Sequence, residues 1–231
     1  MKSFFRYFFI FFILILLAGC ITPNVPIQNS FWQNKSKIAV AMTKIPKPQL
    51  YKVGQQGLLD MAISDSVTKQ FDEHIQLYNL SSLVSLKPEF INNLQKNGVE
   101  AVSFDEPIRV DRLNYFNNDK NLYATRNYQP YLGHVGADKL LLFSINRIGS
   151  ERYYYGFIPT SSPTAICFAE GRLIDLKTNR VLWRQQANIT IHVSGKWHQP
   201  PNYPNFDKAL MTAIDTAKVQ LIDSFFNKTA H

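Results

Sequence analysis

The chain has 231 residues, with 25 Lys and Arg against 17 Asp and Glu and a formal net charge of +8. Its basic residues are scattered singly, which argues against a nucleic-acid surface, where they gather in a stripe or cluster. Two cysteines exclude a disulfide framework, and 45% hydrophobic with 13% aromatic content excludes a disordered chain.

A short basic start (Lys2, Arg6) precedes an apolar run over residues 7–17, and Leu17-Ala18-Gly19-Cys20 follows. This is the three-part layout of a secretory signal, with a cysteine where an ordinary signal shows only small residues. Crossing a bilayer takes about 20 consecutive apolar residues, and the run is shorter, which favours cleavage over spanning. Leu17 to Cys20 resembles the lipobox of bacterial lipoproteins. The resemblance implies a signal peptide over 1–19, removed before Cys20, and acyl chains including palmitate on Cys20 itself. Several chains on one cysteine make a durable tether without a transmembrane helix. Ile21, rather than aspartate, follows the cysteine, and by the same resemblance this points to the outer membrane. The basic balance suits a domain close to anionic headgroups.

Residues 20–36 are mostly polar with two prolines and read as a lipidated tether, followed by one periplasmic α/β domain over 37–228. Within the tether, Phe31 and Trp32 form an aromatic pair expected to dock on the domain or the lipid interface. Residues 37–42 (KIAVAM) predict a buried strand, and 43–56 a Pro-bearing loop. Over 58–71, Leu59, Ile63, Val67 and Phe71 recur every four residues, the mark of an amphipathic helix with these four on its core side. The preceding Gly54-Gln-Gln-Gly57 lacks the Gly-Lys-Ser/Thr of a phosphate loop and reads as a turn. Residues 75–80 suggest a second strand. Pro88, Phe90, Ile91, Leu94 and Gly98 suggest a short helix with a glycine stop, and 99–104 a third strand.

Residues 106–130, rich in Asn, Asp and Tyr, predict an exposed irregular insertion, with one or two helical turns over 129–135. Three consecutive strands follow at 139–148, 164–176 and 180–193. The tight turn Asp175–Arg180 joins the last two and places Asn179 at positive φ. Phe206, Leu210, Ala213, Ile214, Ala217, Leu221 and Phe225 mark a long C-terminal helix with Asn205 as its N-cap. The predicted fold class is therefore α/β: a mixed sheet with packed helices, a β-meander and a long C-terminal helix.

The chain carries no Gly-x-Ser-x-Gly elbow and no His-Glu-x-x-His, and one cysteine beside Cys20 cannot build a thiolate zinc site. Neither a catalytic residue, a metal nor a cofactor is expected. Cys167, in a strand-like run, reads as a small core residue. His192 and His198 straddle Gly195 and read as surface residues at strand ends. Glu170 and Asp175, five apart on one strand, fall on opposite faces and make no acid/base pair. The aromatic run Tyr153, Tyr154, Tyr155 and Phe157 has two readings: a hairpin tip folded over its own sheet, or a surface for a partner.

The stretch Val135-Gly-Ala-Asp-Lys-Leu-Leu-Leu-Phe143, with Glu170-Gly-Arg-Leu-Ile-Asp-Leu-Lys-Thr-Asn-Arg-Val-Leu-Trp183, resembles a group of bacterial envelope lipoproteins. These are the neisserial surface-antigen lipoproteins of unknown function and, more distantly, curli-secretion and penicillin-binding-protein-activator lipoproteins. The resemblance implies a compact sandwich with helices covering a mixed sheet, and no catalytic residues. A curli-type pore is not expected, because 149–163 is too short for barrel hairpins. The sequence thus predicts a non-enzymatic, membrane-anchored lipoprotein that binds or scaffolds an envelope or secretion component. Its expected partners are the membrane, through the acylated N-terminus, and an envelope protein. Two alternatives stay open: a cell-wall or glycan hydrolase with carboxylates brought together by folding, and a homo-oligomeric secretion subunit.

Overall fold

The computed structural model describes residues 23–33, 36–118, 122–134 and 136–227. The expected signal peptide and Cys20 lie outside the described residues.

β1 (Ile38–Met42) is buried on both faces, as its unbroken apolar run requires. It lies parallel to β3 (Ala101–Ser103) on one side and to the start of β4 (Lys139–Tyr155) on the other. β4 is 17 residues long and continues past its expected end at residue 148. Its distal half pairs in parallel with β2 (Gln49–Gln55), from Gln49↔Gly149 to Gln55↔Tyr155. The expectation of a loop over 43–56 is thus corrected. β2 was hidden because it is half-buried without alternation, so no period of two marks it. Where the strands meet, Gly149 has φ 127 and a Cβ there would stand 2.3 Å from Gln49 O. Only glycine permits this approach.

The sheet closes its order β3-β1-β4-β6-β7 with antiparallel β6 (Thr164–Asp175) and β7 (Val181–His192). β5 (Ile158–Pro159) turns back on Tyr154 and Tyr155 of β4, giving seven strands in all. The architecture is a mixed α/β sheet with a long C-terminal helix, as the sequence predicts.

One face carries α1 (Asn29–Gln33), α2 (Leu58–Gln76), α3 (Ser81–Val84), α4 (Leu86–Lys96) and α5 (Pro204–Phe226). α4 buries Leu86, Phe90 and Leu94, and α5 buries the predicted stripe from Phe206 to Phe225. Each buried Leu, Ile or Phe among them stabilises the fold by about 1.5–3 kcal/mol. α2 runs past its predicted end at Phe71, so Ile75 is helical and no strand forms at 75–80. The N-cap position of α5 belongs to Tyr203, at φ 41, and not to Asn205. Asn205 instead donates to Lys196 O and Gln199 Oε1 from its side chain.

The other face holds a second core under the 106–130 segment. Ile108, Ala124 and Tyr128 are buried against Ala39, Ala41, Leu140 and Leu142. The expected exposed insertion is therefore a covering layer. Asn179 fixes it: buried at φ 62, it accepts from Tyr128 N at 2.9 Å and donates to Ala124 O and Arg126 O.

The expected tether is shorter than 20–36. Val25 exchanges backbone bonds of 2.9 and 2.8 Å with Arg184 of β7, and Asn24 Oδ1 accepts from Gln186 N. Ile27 and Phe31 are buried, and Phe31 and Trp32 pack edge-on against Phe225. Apolar side chains every few residues make this segment part of the domain.

Candidate interaction surface

α2 begins where β2 ends, and Asp60 Oδ2 accepts from Gly57 N at 2.9 Å to hold its first turn. Its inward face is polar over the first half, at Ser64 and Thr68, and apolar over the second, where Phe71 takes its expected core position beside Ile75. Ser64 and Thr68 are buried, with Thr68 Oγ1 donating to Ser64 O at 2.7 Å. Lys52 of β2 donates to Ser64 Oγ at 3.0 Å and pairs with Asp65 at 2.6 Å. Leu50 N donates to Asp72 Oδ1, and His74 Nε2 meets Asp207 Oδ1 at 2.7 Å, joining α2 to α5. With Ser64 and Thr68 turned inward, Leu59, Ile63 and Val67 of the expected stripe turn outward, while Phe71 stays in the core. Leu59 is 74% exposed and Val67 80%, with Leu58 at 89% beside them and Ile63 partly open.

The turn between β4 and β5 lies against the start of this helix. Gly156 N donates to Gln55 O, Gln56 Nε2 donates to Gly156 O, and Asp60 stands beside Gly156. The aromatic run is divided there. Tyr153, Tyr155 (73%), Phe157 and Ile158 are exposed, while Tyr154 is buried between Lys52 and Arg152, each 5.7 Å from its ring centre. Burial raises the Tyr154 phenol above its ordinary range, with Arg152 opposing the shift. Tyr154 thus leaves the contact group that the sequence reading gave it. Alternation along β4 explains the division, because neighbouring side chains face opposite ways. Exposed apolar side chains of the α2 start and of the hairpin tip thus flank the Gly156 turn and make this edge the candidate interaction surface.

The other expected positions are placed as follows. Cys167 is fully buried in β6, and burial pushes its thiol up to about 12. Glu170 lies between Arg172 Nε at 3.6 Å and Arg184 Nε at 3.4 Å, whereas Asp175 Oδ1 caps the turn by accepting from Lys177 N, Thr178 N and Thr178 Oγ1. The fold does not pair these two carboxylates. A groove of ≈ 770 Å³ beside β2 and α2 holds Asp65, Asp72 and Glu73. Asp65 is held by Lys52, Asp72 by Leu50 N and Gln76, and Glu73 by Lys69. His198 packs on Trp197 and Tyr203, and no group of three or more His, Cys, Asp or Glu is placed to hold a metal among the described residues.

Comparison with known proteins bears on the layout alone. No protein-family model and no curated protein sequence matches the chain. Among solved structures, lipoprotein GNA1162 of Neisseria meningitidis is similar, at 13% identity and TM-score 0.28, covering 78% of this chain and 98% of that one. A protein of Xanthomonas campestris is similar at 13% identity and TM-score 0.38, covering 86% and 88%. The LpoB C-terminal domain of Salmonella enterica is similar at 11% identity and TM-score 0.19, covering 76% and 89%. The neisserial and LpoB neighbours are of the kinds that the residues around Gly136 to Phe143 and Glu170 to Trp183 suggested. Identities this low leave function to the residues of this chain.

Sequence reasoning missed the α2 half of the surface. The four-residue period was visible, but a stripe bound for the core and one bound for a partner have the same period. The distinguishing signal was on the opposite side, where Ser64 and Thr68 offered short polar groups that bond within the helix and to Lys52.

Proposed function

We propose that this chain is a non-enzymatic lipoprotein of the bacterial outer membrane, held by acylated Cys20. Its periplasmic domain presents Leu59, Val67, Tyr153, Tyr155 and Phe157 to a protein of the envelope. The observation that supports this reading most is the separation of the two ends. Cys20 is five residues before Val25, so an anchor there stays within about 18 Å of it. Val25 joins β7 at Arg184, near the end of the sheet where β4 begins at Lys139. The apolar edge begins at Tyr153, eleven residues along β4 from Leu142, which is level with Arg184, and this is about 36 Å away. The anchor's own reach of about 18 Å is shorter than this separation, which favours a protein as the occupant of the edge. Tyr, Leu and Phe with few free charges form the core composition of such interfaces.

Two measurements test this reading. Metabolic labelling with palmitate should mark the wild-type chain and not Cys20→Ala. A photo-reactive residue at Tyr155 or Leu59 should crosslink in cells to one and the same protein band, a second copy of the chain included. Absence of palmitate overturns the anchor, and absence of a shared band overturns the surface.

A further inference from the structure

We propose that the pocket between the N-terminal segment and the β6–β7 turn binds the phosphate group of an anionic phospholipid through Lys139 and Arg180. The pocket of ≈ 270 Å³ is walled by Val25, Ile27 and Phe31 on one side and by Val181 and Leu182 on the other. At ~30 Å³ per water it has space for about nine waters, more than a lone monovalent ion requires.

Lys139 carries the argument. It is only 9% exposed and lines the pocket, yet it makes no ion pair among the described residues. The other well-covered lysines each have a carboxylate, Lys52 with Asp65, Lys87 with Asp105 and Lys218 with Glu89. Its cross-strand partner Asp175 is the one carboxylate that lines the pocket, and an anion seated beside a covered cation adds to that compensation. Arg180, exposed on the rim, likewise has no ion pair among the described residues and adds a planar donor suited to phosphate. Asp175 also lines the pocket, but its Oδ1 already accepts three bonds inside the turn. Two cations thus share one carboxylate, whose Oδ1 is occupied within the turn.

The position selects the source of the phosphate. Gln28 and Ser30 line the same pocket, eight and ten residues after Cys20. This choice of a lipid rests on the proposed anchor, which sets the pocket beside headgroups. Apolar Val25, Ile27 and Phe31 alongside the cations suit the first methylenes of an acyl chain below its headgroup phosphate.

The test uses the full chain in neutral detergent, mixed with phosphatidylglycerol or phosphatidylcholine of the same acyl chains and examined by native mass spectrometry. The phosphatidylglycerol adduct should exceed the phosphatidylcholine adduct, and Arg180→Gln or Lys139→Gln should each lower it about tenfold, the loss of one charge-assisted contact. Lys139→Arg should retain it. Arg180→Gln lies on an exposed turn, so it reports even if Lys139→Gln fails to fold. Equal adducts with both lipids, or an adduct indifferent to Arg180→Gln, overturns the lipid assignment. A thermal shift with inorganic phosphate alone, lost in Arg180→Gln, would then identify free phosphate as the ligand and contradict the lipid source. Palmitate labelling reports on the anchor separately, so failure of the pocket and failure of the anchor are distinguishable.

Discussion

Gly171 and Trp183 meet across the β6–β7 ladder so closely that a Cβ on Gly171 would stand 2.4 Å from Trp183 Cη2. The indole is fully buried and packs edge-on against Phe225 of α5 at 4.9 Å. A bare backbone at 171 therefore gives the C-terminal helix a flat ring to sit on. Gly171→Ala should destabilise the domain by about 1–3 kcal/mol, the usual range for overpacking. Chemical denaturation checks this, and Trp183→Phe in the same background should recover part of the loss by making room.

Asn179 does two jobs that one substitution separates. Asn179→Gly keeps the left-handed turn but removes the bonds to Tyr128 N, Ala124 O and Arg126 O. Stranding buried backbone groups costs about 1–3 kcal/mol each. The variant should lose stability and, in hydrogen exchange, expose the amides of 122–130 while those of β6 stay protected.

Cys167 should not react with a thiol reagent in the folded protein. Its thiol is pushed to about 12 by burial, so the thiolate is scarce at neutral pH, and reagent cannot reach it. Labelling should appear only with the unfolding transition.

Glu89 couples α4 to α5. Burial acts to raise its carboxyl, but bonds to Lys218 at 2.7 Å and Ser85 at 2.6 Å outweigh it and hold the group below the ordinary range. A depressed carboxyl contributes stability above its unfolded pKa, and this is lost as pH falls through the folded value. Glu89→Gln should lower stability at neutral pH and flatten the decline on the acid side. Thermal melts across mildly acidic pH measure it.

How far the sequence disclosed the fold depended on whether periodicity alone decided the matter. β1, α4, the β6–β7 turn with Asn179 and the Phe206-to-Phe225 stripe of α5 were legible, because each follows from local pattern or turn chemistry. β2 was not, since its partner lies a hundred residues away on β4 and its own residues are half-buried without alternation. The cover over the second face was unread because Ile108, Ala124 and Tyr128 are isolated apolar residues in a polar stretch. Of the candidate surface, Tyr153, Tyr155 and Phe157 were visible as aromatic density. Leu59 and Val67 were visible as a stripe but assigned to the wrong side, because which face of a helix meets the sheet is a tertiary choice.

The account depends most on the two ends of β4 facing different company. In-cell photo-crosslinking from Tyr155 and from Arg180 compares them directly. The account predicts a protein adduct from Tyr155, abolished by Leu59→Asp, and a lipid adduct from Arg180. A lipid adduct from Tyr155, or the same protein adduct from both positions, would contradict it.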